Sequence, residues 1–365
     1  MTGPTGWAGE ALELLLGRVA ETAAQVGSRF PLYADPGDGR WTTTGRGAWT
    51  GGFWAGLLWL RARHTGAAAD RSAASAATAR LAAWTEADTA TRGLVLWYGT
   101  ALAAEDDGAA ALRERAARTA LACWDPGLGL VPWGAALGGP RLRARADAVP
   151  GLVPLVACAG PEGRTAAAAH LHRHLDLCLC GGGPGRPRPA WRWDEACGRW
   201  AAETEPAPGW ARGEAWLLLA VADGLLRADG GTPWRPDRLA AAAERLLHQG
   251  EFLDGPPVPP AEAGDPGGFR DTSAAAIAAV ALLKLARLSG AGRAAAYAAR
   301  AEAVLHHLVD VHLTRPGGAR PAGMLLDGCY EARSGTAVRH ELVWGDFFLA
   351  LGLAALLGRV DLTRV

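Results

Sequence analysis

The sequence predicts an all-α protein built as an (α/α)6 toroid, a barrel of six inner helices inside six outer ones. Two observations predict this fold. Six stretches share one design, in which a polar or aromatic opening precedes a helix-long run of Ala, Leu, Val and Trp, and amphipathic stretches alternate with them. Helices that are apolar on every side must be enclosed by other helices, and self-similarity at a long interval is typical of repeat architectures.

The order of these stretches predicts six helical hairpins. The apolar stretches begin near Trp49, Arg92, Asp147, Trp210, Asp271 and Glu341. The amphipathic stretches run near residues 8–26, 67–86, 108–123, 163–178, 235–250 and 293–313. In the first of these, apolar positions recur at intervals of three and four, whereas Glu13, Arg18 and Glu21 fall elsewhere. We therefore expect one barrel domain over residues 1–365, with little β-structure.

Parallel inner helices would bring six helix N-termini to one mouth. Such a mouth is electropositive and suits a ligand that carries a carboxylate. The long Gly- and Pro-rich loops are expected there, because long loops inside a compact domain are usually functional. These loops span residues 124–146, 180–209, 251–270 and 314–340.

Composition excludes several classes of partner. Lys plus Arg and Asp plus Glu both number 37, so neither a nucleic acid nor an anionic membrane is indicated. The N-terminus lacks the pattern of a signal peptide, and no apolar run reaches a membrane span of about 18 residues. Six cysteines without a C-x-x-C pair fit reduced, buried thiols. These features predict a cytoplasmic monomer or homodimer that acts on a small molecule or oligosaccharide.

Tryptophan is overused, with 16 residues against 6 Phe and 4 Tyr. Flat aromatic faces in a polar cleft bind sugar rings and also hold cations. Trp49, Trp133 and Trp210 stand at segment openings or in mouth loops and are predicted to line the cavity, and Trp344 has a similar position. Other tryptophans are expected in the core. These are Trp54, Trp59 and Trp97.

Charged residues at the segment openings are the candidates for chemistry. Asp147 heads the third apolar helix, where a helix cap and a partly desolvated general acid are both open interpretations. Arg212 could clamp a substrate carboxylate, or it could pair with Glu214 and only rigidify the mouth. Capping and loop anchoring are the expected roles at the last two openings. The residues concerned are Asp271, Ser273, Glu341 and Asp346.

A metal site is not expected. His170, His172 and His174 have spacing that puts at least two of them on one helix face, but they are predicted on a solvated outer helix without a carboxylate to complete a ligand set. The CGGGPGRPRP segment follows a helix and not a strand, so a phosphate-binding loop is not indicated either. No cofactor is predicted.

Several segments resemble the unsaturated glucuronyl hydrolases and the unsaturated rhamnogalacturonyl hydrolases, glycoside hydrolase families 88 and 105. WARGEAW, DTSAAAIAAVALLKL and LVWGDFF are similar to the patterns WxRGQAW, DxSAxAIxAxGLLxL and IWGDYF. WTGGFWAGLLWL is similar to WTxGFWxGxLWL, and YEARSGTAVRHELVWGD looks like the final loop of that family. The matches run in consistent order from about residue 41 to 358.

This resemblance implies a cytoplasmic enzyme with an (α/α)6 fold that acts on Δ4,5-unsaturated uronides. An aspartic acid protonates the C4=C5 enol ether, water adds at C5, and the hemiketal opens and expels the neighbouring sugar, without metal or cofactor. The resemblance gives Asp147 the role of acid and base. It gives Trp49, Trp133, Arg212 and Trp216 contacts with the substrate.

The chain also departs from the family pattern. In that family a second essential aspartate lies in a motif similar to His-Asp-Leu-Gly-Phe. When the histidine of this motif is aligned with Arg92, the position of the aspartate is occupied by Gly93. We then expect Arg92 to bind an anionic group and Glu214, which replaces the Gln of RGQAW, to be a second catalytic carboxylate. Three functions stay open: hydrolysis of an unsaturated uronide or related enol ether, alkene protonation in secondary metabolism, and sugar binding without catalysis.

Overall fold

The computed structural model describes residues 6–103, 105–180, 185–228 and 233–365, so the predicted loop 180–209 lies partly outside the described residues. Within these ranges, eleven α-helices and one π-helical segment form an inner and an outer layer. The outer helices are α1 (Gly6–Val26), α3 (Ala68–Arg80), α4 (Asp107–Ala122), α6 (Gly160–Cys180), α8 (Pro236–Gln249) and α10 (Ala291–His307). The inner elements are α2 (Gly51–Thr65), the π segment (Gly93–Trp97), α5 (Leu152–Ala157), α7 (Ala211–Leu226), α9 (Thr272–Ala286) and α11 (Val343–Leu356). The predicted (α/α)6 toroid is confirmed.

The inner elements form a closed ring. Each one contacts the next in chain order, and α11 returns to contact α2. Nearly every side chain of α7, α9 and α11 is buried, since outer helices cover the faces that point away from the barrel axis. Alanine is frequent in α9 and allows neighbouring helices to approach closely. No helix in the described ranges is long and apolar enough to cross a bilayer.

Burial in the outer helix α1 follows the amphipathic pattern with one exception. Leu12, Leu15 and Val19 are buried while Glu13 is exposed, as the spacing predicts. Arg18 is also buried, because its guanidinium forms an ion pair of 2.7 Å with Glu341 at the opening of α11. The sequence pattern had placed Arg18 off the apolar face.

Short strands line the mouth of the barrel, where irregular loops had been expected for the most part. One antiparallel sheet has the order β2–β1–β6, and the other has the order β3–β4–β5. Their bounds are β1 (Phe30–Ala34), β2 (Trp41–Thr44), β3 (Arg143–Arg145), β4 (Ala190–Asp194), β5 (Arg199–Ala202) and β6 (Glu341–Leu342). In the second sheet Trp193 is paired with Trp200, and their rings pack edge to face at 5.5 Å. This sheet matters for function because β3 leads directly into Asp147.

A buried ion pair ties the opposite end of the barrel together. The ammonium of Lys284, the single lysine of the chain, lies 2.6 Å from the Asp223 carboxylate and also donates to the carbonyl of Val365. Both charged side chains are at most 1% exposed. The contact joins α7, α9 and the C-terminal residue.

We expect Lys284→Met to lower the free energy of unfolding by about 3 kcal/mol, because it leaves Asp223 buried with one cation fewer. Urea denaturation followed by circular dichroism measures this value. Arg293→Met is the matched control, because Arg293 pairs with Glu244 on the surface and should cost less than about 1 kcal/mol. Equal losses in the two variants would contradict the structural role of Lys284.

Candidate functional site

A cavity of about 690 Å³ opens at the N-terminal ends of the inner helices, and we call it the bowl. All six inner-element openings, or the loops leading to them, contribute side chains to its wall. These residues include Trp49, Thr91, Asp147, Trp210, Arg212 and Tyr330. The bowl is also lined by Trp133, Arg143, Arg145, Trp216, Glu205, Glu262 and Glu331. The structure therefore brings most of the sequence-predicted site residues together.

Asp147 is held in the bowl by a two-pronged ion pair. Its two carboxylate oxygens accept hydrogen bonds from Nε and Nη2 of Arg145 at 2.9 and 3.0 Å. The carboxylate is 18% exposed, so it is accessible to a ligand in the cavity. Asp147 does not cap a helix, because it lies in a 3-10 turn (Ala146–Ala148) and α5 begins only at Leu152. The cap interpretation is therefore wrong, and the ion pair with Arg145 is what holds this side chain in the bowl.

Arg143 and Arg145 were not identified from the sequence. Residues two apart in a strand point to the same face, and β3 thus directs both arginines into the bowl. The Arg145 guanidinium lies 4.8 Å from the ring centroid of Trp133, and its edge binds the Asp147 carboxylate. The alternation of arginines in RLRARAD is the signal that could have located them.

Aromatic rings form one wall of the bowl. Trp49 stacks on Tyr330 with ring centroids 6.2 Å apart and an interplanar angle of 18°. Trp216 is almost fully buried at the floor. Trp344 does not reach the cavity, because its fully buried ring lies behind Trp49 at 4.7 Å. The structure thus corrects the placement of Trp344 from the wall to the support behind it.

Arg212 is fixed by contacts within the protein. It is 4% exposed, and its guanidinium donates to the Asp271 carboxylate at 2.6 Å and to the Tyr330 carbonyl at 2.7 Å. Trp210 and Trp344 flank it at 5.1 and 5.5 Å. The predicted pairing with Glu214 does not occur. Asp271 also caps α9, as expected.

The bowl holds no arginine that lacks a carboxylate partner among the described residues. Arg143 pairs with Glu203 at 2.9 Å, and the other two arginines of the lining pair with Asp147 and Asp271. Three further carboxylates face the cavity. They are Glu205, Glu262 and Glu331. The mouth is therefore less favourable to an anion than the six helix N-termini alone predict.

Arg92 is not a residue of the bowl. It is 2% exposed, and its guanidinium donates to the carbonyls of Ala87 and Thr119 and to the sulfur of Cys123. These contacts tie the π segment to α4. The structure corrects the predicted role of Arg92 from anion binding to packing.

Gly93 faces backbone and not the cavity. A Cβ at this position would lie 2.0 Å from the amide nitrogen of Leu152, and a Cβ at Gly151 would lie 2.4 Å from the carbonyl oxygen of Gly93. Only glycine fits such a contact. We therefore expect the glycine of the His-Asp-Leu-Gly-Phe motif to correspond to Gly93, and this alignment puts Thr91 at the aspartate position. Thr91 lines the bowl, so under this alignment a hydroxyl, and not Gly93, stands at the position of the second carboxylate.

Glu214 points away from the bowl into a separate cavity. Its Oε2 accepts a hydrogen bond of 3.0 Å from Arg186, and the side chain is 3% exposed. Burial raises the pKa of Glu214 to about 7, although the Arg186 charge opposes the shift. Glu214 is thus not placed to act as a second carboxylate beside Asp147.

The histidines of α6 are buried, contrary to the expectation that they are solvated. His170 accepts a hydrogen bond from the Val131 amide at 3.1 Å and lies under the loop that carries Asp147. Burial lowers the pKa of His174 to about 4. Within the described ranges, no group of three His, Cys, Asp or Glu side chains is arranged to hold a metal ion. The cysteines differ in exposure, since Cys178 and Cys329 are buried whereas Cys158 and Cys197 are exposed.

Comparison with known proteins identifies structural relatives only. No family model and no curated sequence matches the chain. A structure described as UGL with dGlcA-Glc-Rha-Glc is 25% identical, with a TM-score of 0.83 over 95% of this chain and 96% of that one. Unsaturated glucuronyl hydrolase from Bacillus sp. GL1, responsible for the degradation of glycosaminoglycan, is 24% identical, with a TM-score of 0.81 over 96% of both chains. The enzyme from Streptococcus agalactiae is 17% identical, with a TM-score of 0.83 over 100% of this chain and 95% of that one. The chain thus has an unsaturated glucuronyl hydrolase-like fold.

We expect Glu214→Gln to change the pH dependence of stability. The pKa of Glu214 is raised in the folded state, so the protonated side chain favours the folded protein. Its contribution to the free energy of unfolding is fully present below about pH 4.5 and is lost as the pH rises through 7. Relative to wild type, the Gln variant should therefore gain roughly 3 kcal/mol between pH 5 and pH 8. Urea denaturation at several pH values measures the difference, with the exposed Glu244→Gln as control. Parallel curves for wild type and Glu214→Gln would refute this prediction.

Proposed function

We propose that this chain is a glycoside-hydrolase-like enzyme that acts on an unsaturated uronide or a related enol ether. The observation that carries the proposal is the Asp147 carboxylate, held by Arg145 and accessible from an aromatic-walled bowl. The likeness to unsaturated glucuronyl hydrolases supports the same reaction class. The size of the bowl is within the usual range of small-molecule sites, about 300–1,000 Å³.

In this proposal Asp147 is the proton donor. Its carboxyl group transfers a proton to C4 of the enol ether, and water adds to the cation at C5. The proton released by that water returns to the carboxylate, so the group is regenerated. The resulting hemiketal opens and expels the neighbouring sugar. Arg145 keeps the carboxyl group in position through its rigid fork.

The walls of the bowl suit a sugar ring. The stacked pair of Trp49 and Tyr330 and the ring of Trp210 offer apolar faces to the C–H groups of a pyranose. The hydroxyl of Thr91 is hydrogen-bonded to the hydroxyl of Thr89 at 2.9 Å, and it cannot take up a proton as a carboxylate would. Catalysis with one carboxylate is expected to be slow.

A second candidate is an enzyme of secondary metabolism that protonates an alkene with the same Asp147 and then catalyses cyclisation, hydration or elimination. The charge of the bowl favours it. The arginines of the lining are paired, and Glu262 and Glu331 also face the cavity, while Glu205 pairs with Arg333. Both carboxylates and aromatic faces stabilise a carbocation. A sugar-binding protein without catalysis is the third outcome.

We expect Asp147→Asn to reduce turnover of a Δ4,5-unsaturated disaccharide by about 10²–10⁴-fold, because the amide cannot donate the proton. The loss of ultraviolet absorbance of the C=C bond measures turnover, and calorimetry measures binding. Retained binding with lost turnover supports the proposal. If wild type leaves the absorbance unchanged but both proteins bind the disaccharide equally, the chain is a binding protein. Activity on a non-sugar alkene that depends on Asp147 supports the second candidate.

We expect Thr91→Asp to raise turnover at least tenfold, because it adds a carboxylate to the wall that holds Asp147. Thr91→Asn is the matched control and should give no increase. Gly93→Asp should fail to fold, because its Cβ would lie 2.0 Å from the Leu152 nitrogen. Higher turnover in the Asn variant, or a folded Gly93→Asp protein, would contradict the assignment of Thr91 to the aspartate position.

A further inference from the structure

A second cavity of about 410 Å³ lies outside the bowl, against α7, α9 and α10. The proline-rich loop between α8 and α9 closes its outer side. Most of its wall is apolar, and it includes Phe252, Pro256, Pro257, Pro260, Leu282 and Val304. None of these residues also lines the bowl. The cavity is therefore distinct from the candidate active site.

One polar group in this cavity is unsatisfied. Glu214 lines the cavity, and its Oε1 has no hydrogen-bond partner among the described residues, whereas Oε2 is bonded to Arg186. The side chain is 3% exposed, so water reaches it poorly. A buried polar atom without a partner is costly unless a ligand or a water molecule satisfies it.

The charged groups around the cavity favour an anion. Arg186 lies between Glu214 at 3.0 Å and Glu251 at 3.5 Å. Arg270 and Arg300 also line the cavity, and each is held by backbone carbonyls without a carboxylate at ion-pair distance in the described part of the chain. The three arginines exceed the two glutamates by one charge. When Glu214 is protonated, the excess grows to two.

We propose that this cavity is a second binding site for a small monocarboxylate with a compact apolar body. The protonated carboxyl of Glu214 donates its hydrogen through Oε1 to the ligand carboxylate, and the nearby guanidinium groups neutralise the ligand. The apolar body packs on the prolines and Phe252. This arrangement supplies the partner that Oε1 lacks, and it does not depend on the function proposed for the bowl.

Binding in this arrangement is linked to one proton. Because burial raises the pKa of Glu214 to about 7, the group is mostly protonated at pH 6 and mostly ionised at pH 8. The other charged groups that line this cavity are Glu251 after α8, Arg186 before β4, Arg270 before α9 and Arg300 of α10. Arginines stay charged throughout this range. The affinity for an anion should thus fall about tenfold from pH 6 to pH 8, in proportion to the protonated fraction.

The test is calorimetric titration of the full-length protein with sodium benzoate at pH 6 and pH 8, with benzylamine as the cationic probe. Glu214→Gln keeps a hydrogen-bond donor, so it should bind benzoate with equal affinity at both pH values. Glu214→Leu has no donor and should bind at least tenfold more weakly at pH 6. Circular dichroism checks that each variant is folded, and the Gln variant decides the outcome if the Leu variant is not.

Three results would overturn the proposal. The first is no benzoate binding by wild type at pH 6. The second is an affinity of wild type that does not change with pH, or a change that persists in Glu214→Gln. The third is tighter binding of benzylamine than of benzoate, which would make the cavity a cation site. Turnover of the unsaturated disaccharide is measured separately and has no bearing on these outcomes.

Discussion

The contact between two glycines determines the geometry of the candidate active site. Gly93 and Gly151 bring the backbone of the π segment against the start of α5, closer than any Cβ allows. Thr91 lies two residues before the first glycine and Asp147 four residues before the second, and both line the bowl. A side chain at either glycine would push the two elements apart and separate these residues. The position of the proposed acid thus depends on two residues that have no side chain.

Ion pairs then determine what the bowl can bind. Each lining arginine forms an ion pair with a carboxylate of the protein. These guanidinium groups therefore orient side chains at the helix openings, and little unpaired positive charge is left to bind a ligand. Arg212 illustrates this, because it joins the starts of α7 and α9 and the loop around Tyr330. In the proposed function a substrate is therefore selected mainly by aromatic faces and by Asp147.

The first turn of α7 serves two cavities. Residues two apart in an α-helix point about 200° apart, so Arg212 and Glu214 cannot face the same space. Arg212 contacts the bowl, whereas Glu214 lies in the proline-walled cavity on the other side. Any ligand that moves Glu214 acts on the same helical turn that carries Arg212. The two sites are therefore adjacent in structure although they are chemically distinct.

The sequence by itself determined the helix order, the two layers and several of the bowl residues, because hydrophobic periodicity and segment openings are local features. Asp147, Trp49 and Trp210 were found in this way. Tertiary structure alone decided which side chains meet. Arg92, Arg18 and His170 are buried because they bind partners distant in the chain, and the register at Gly93 depends on the approach of Leu152. Partners of this kind leave no local pattern, because nothing in the neighbouring sequence records which distant atom a side chain will contact.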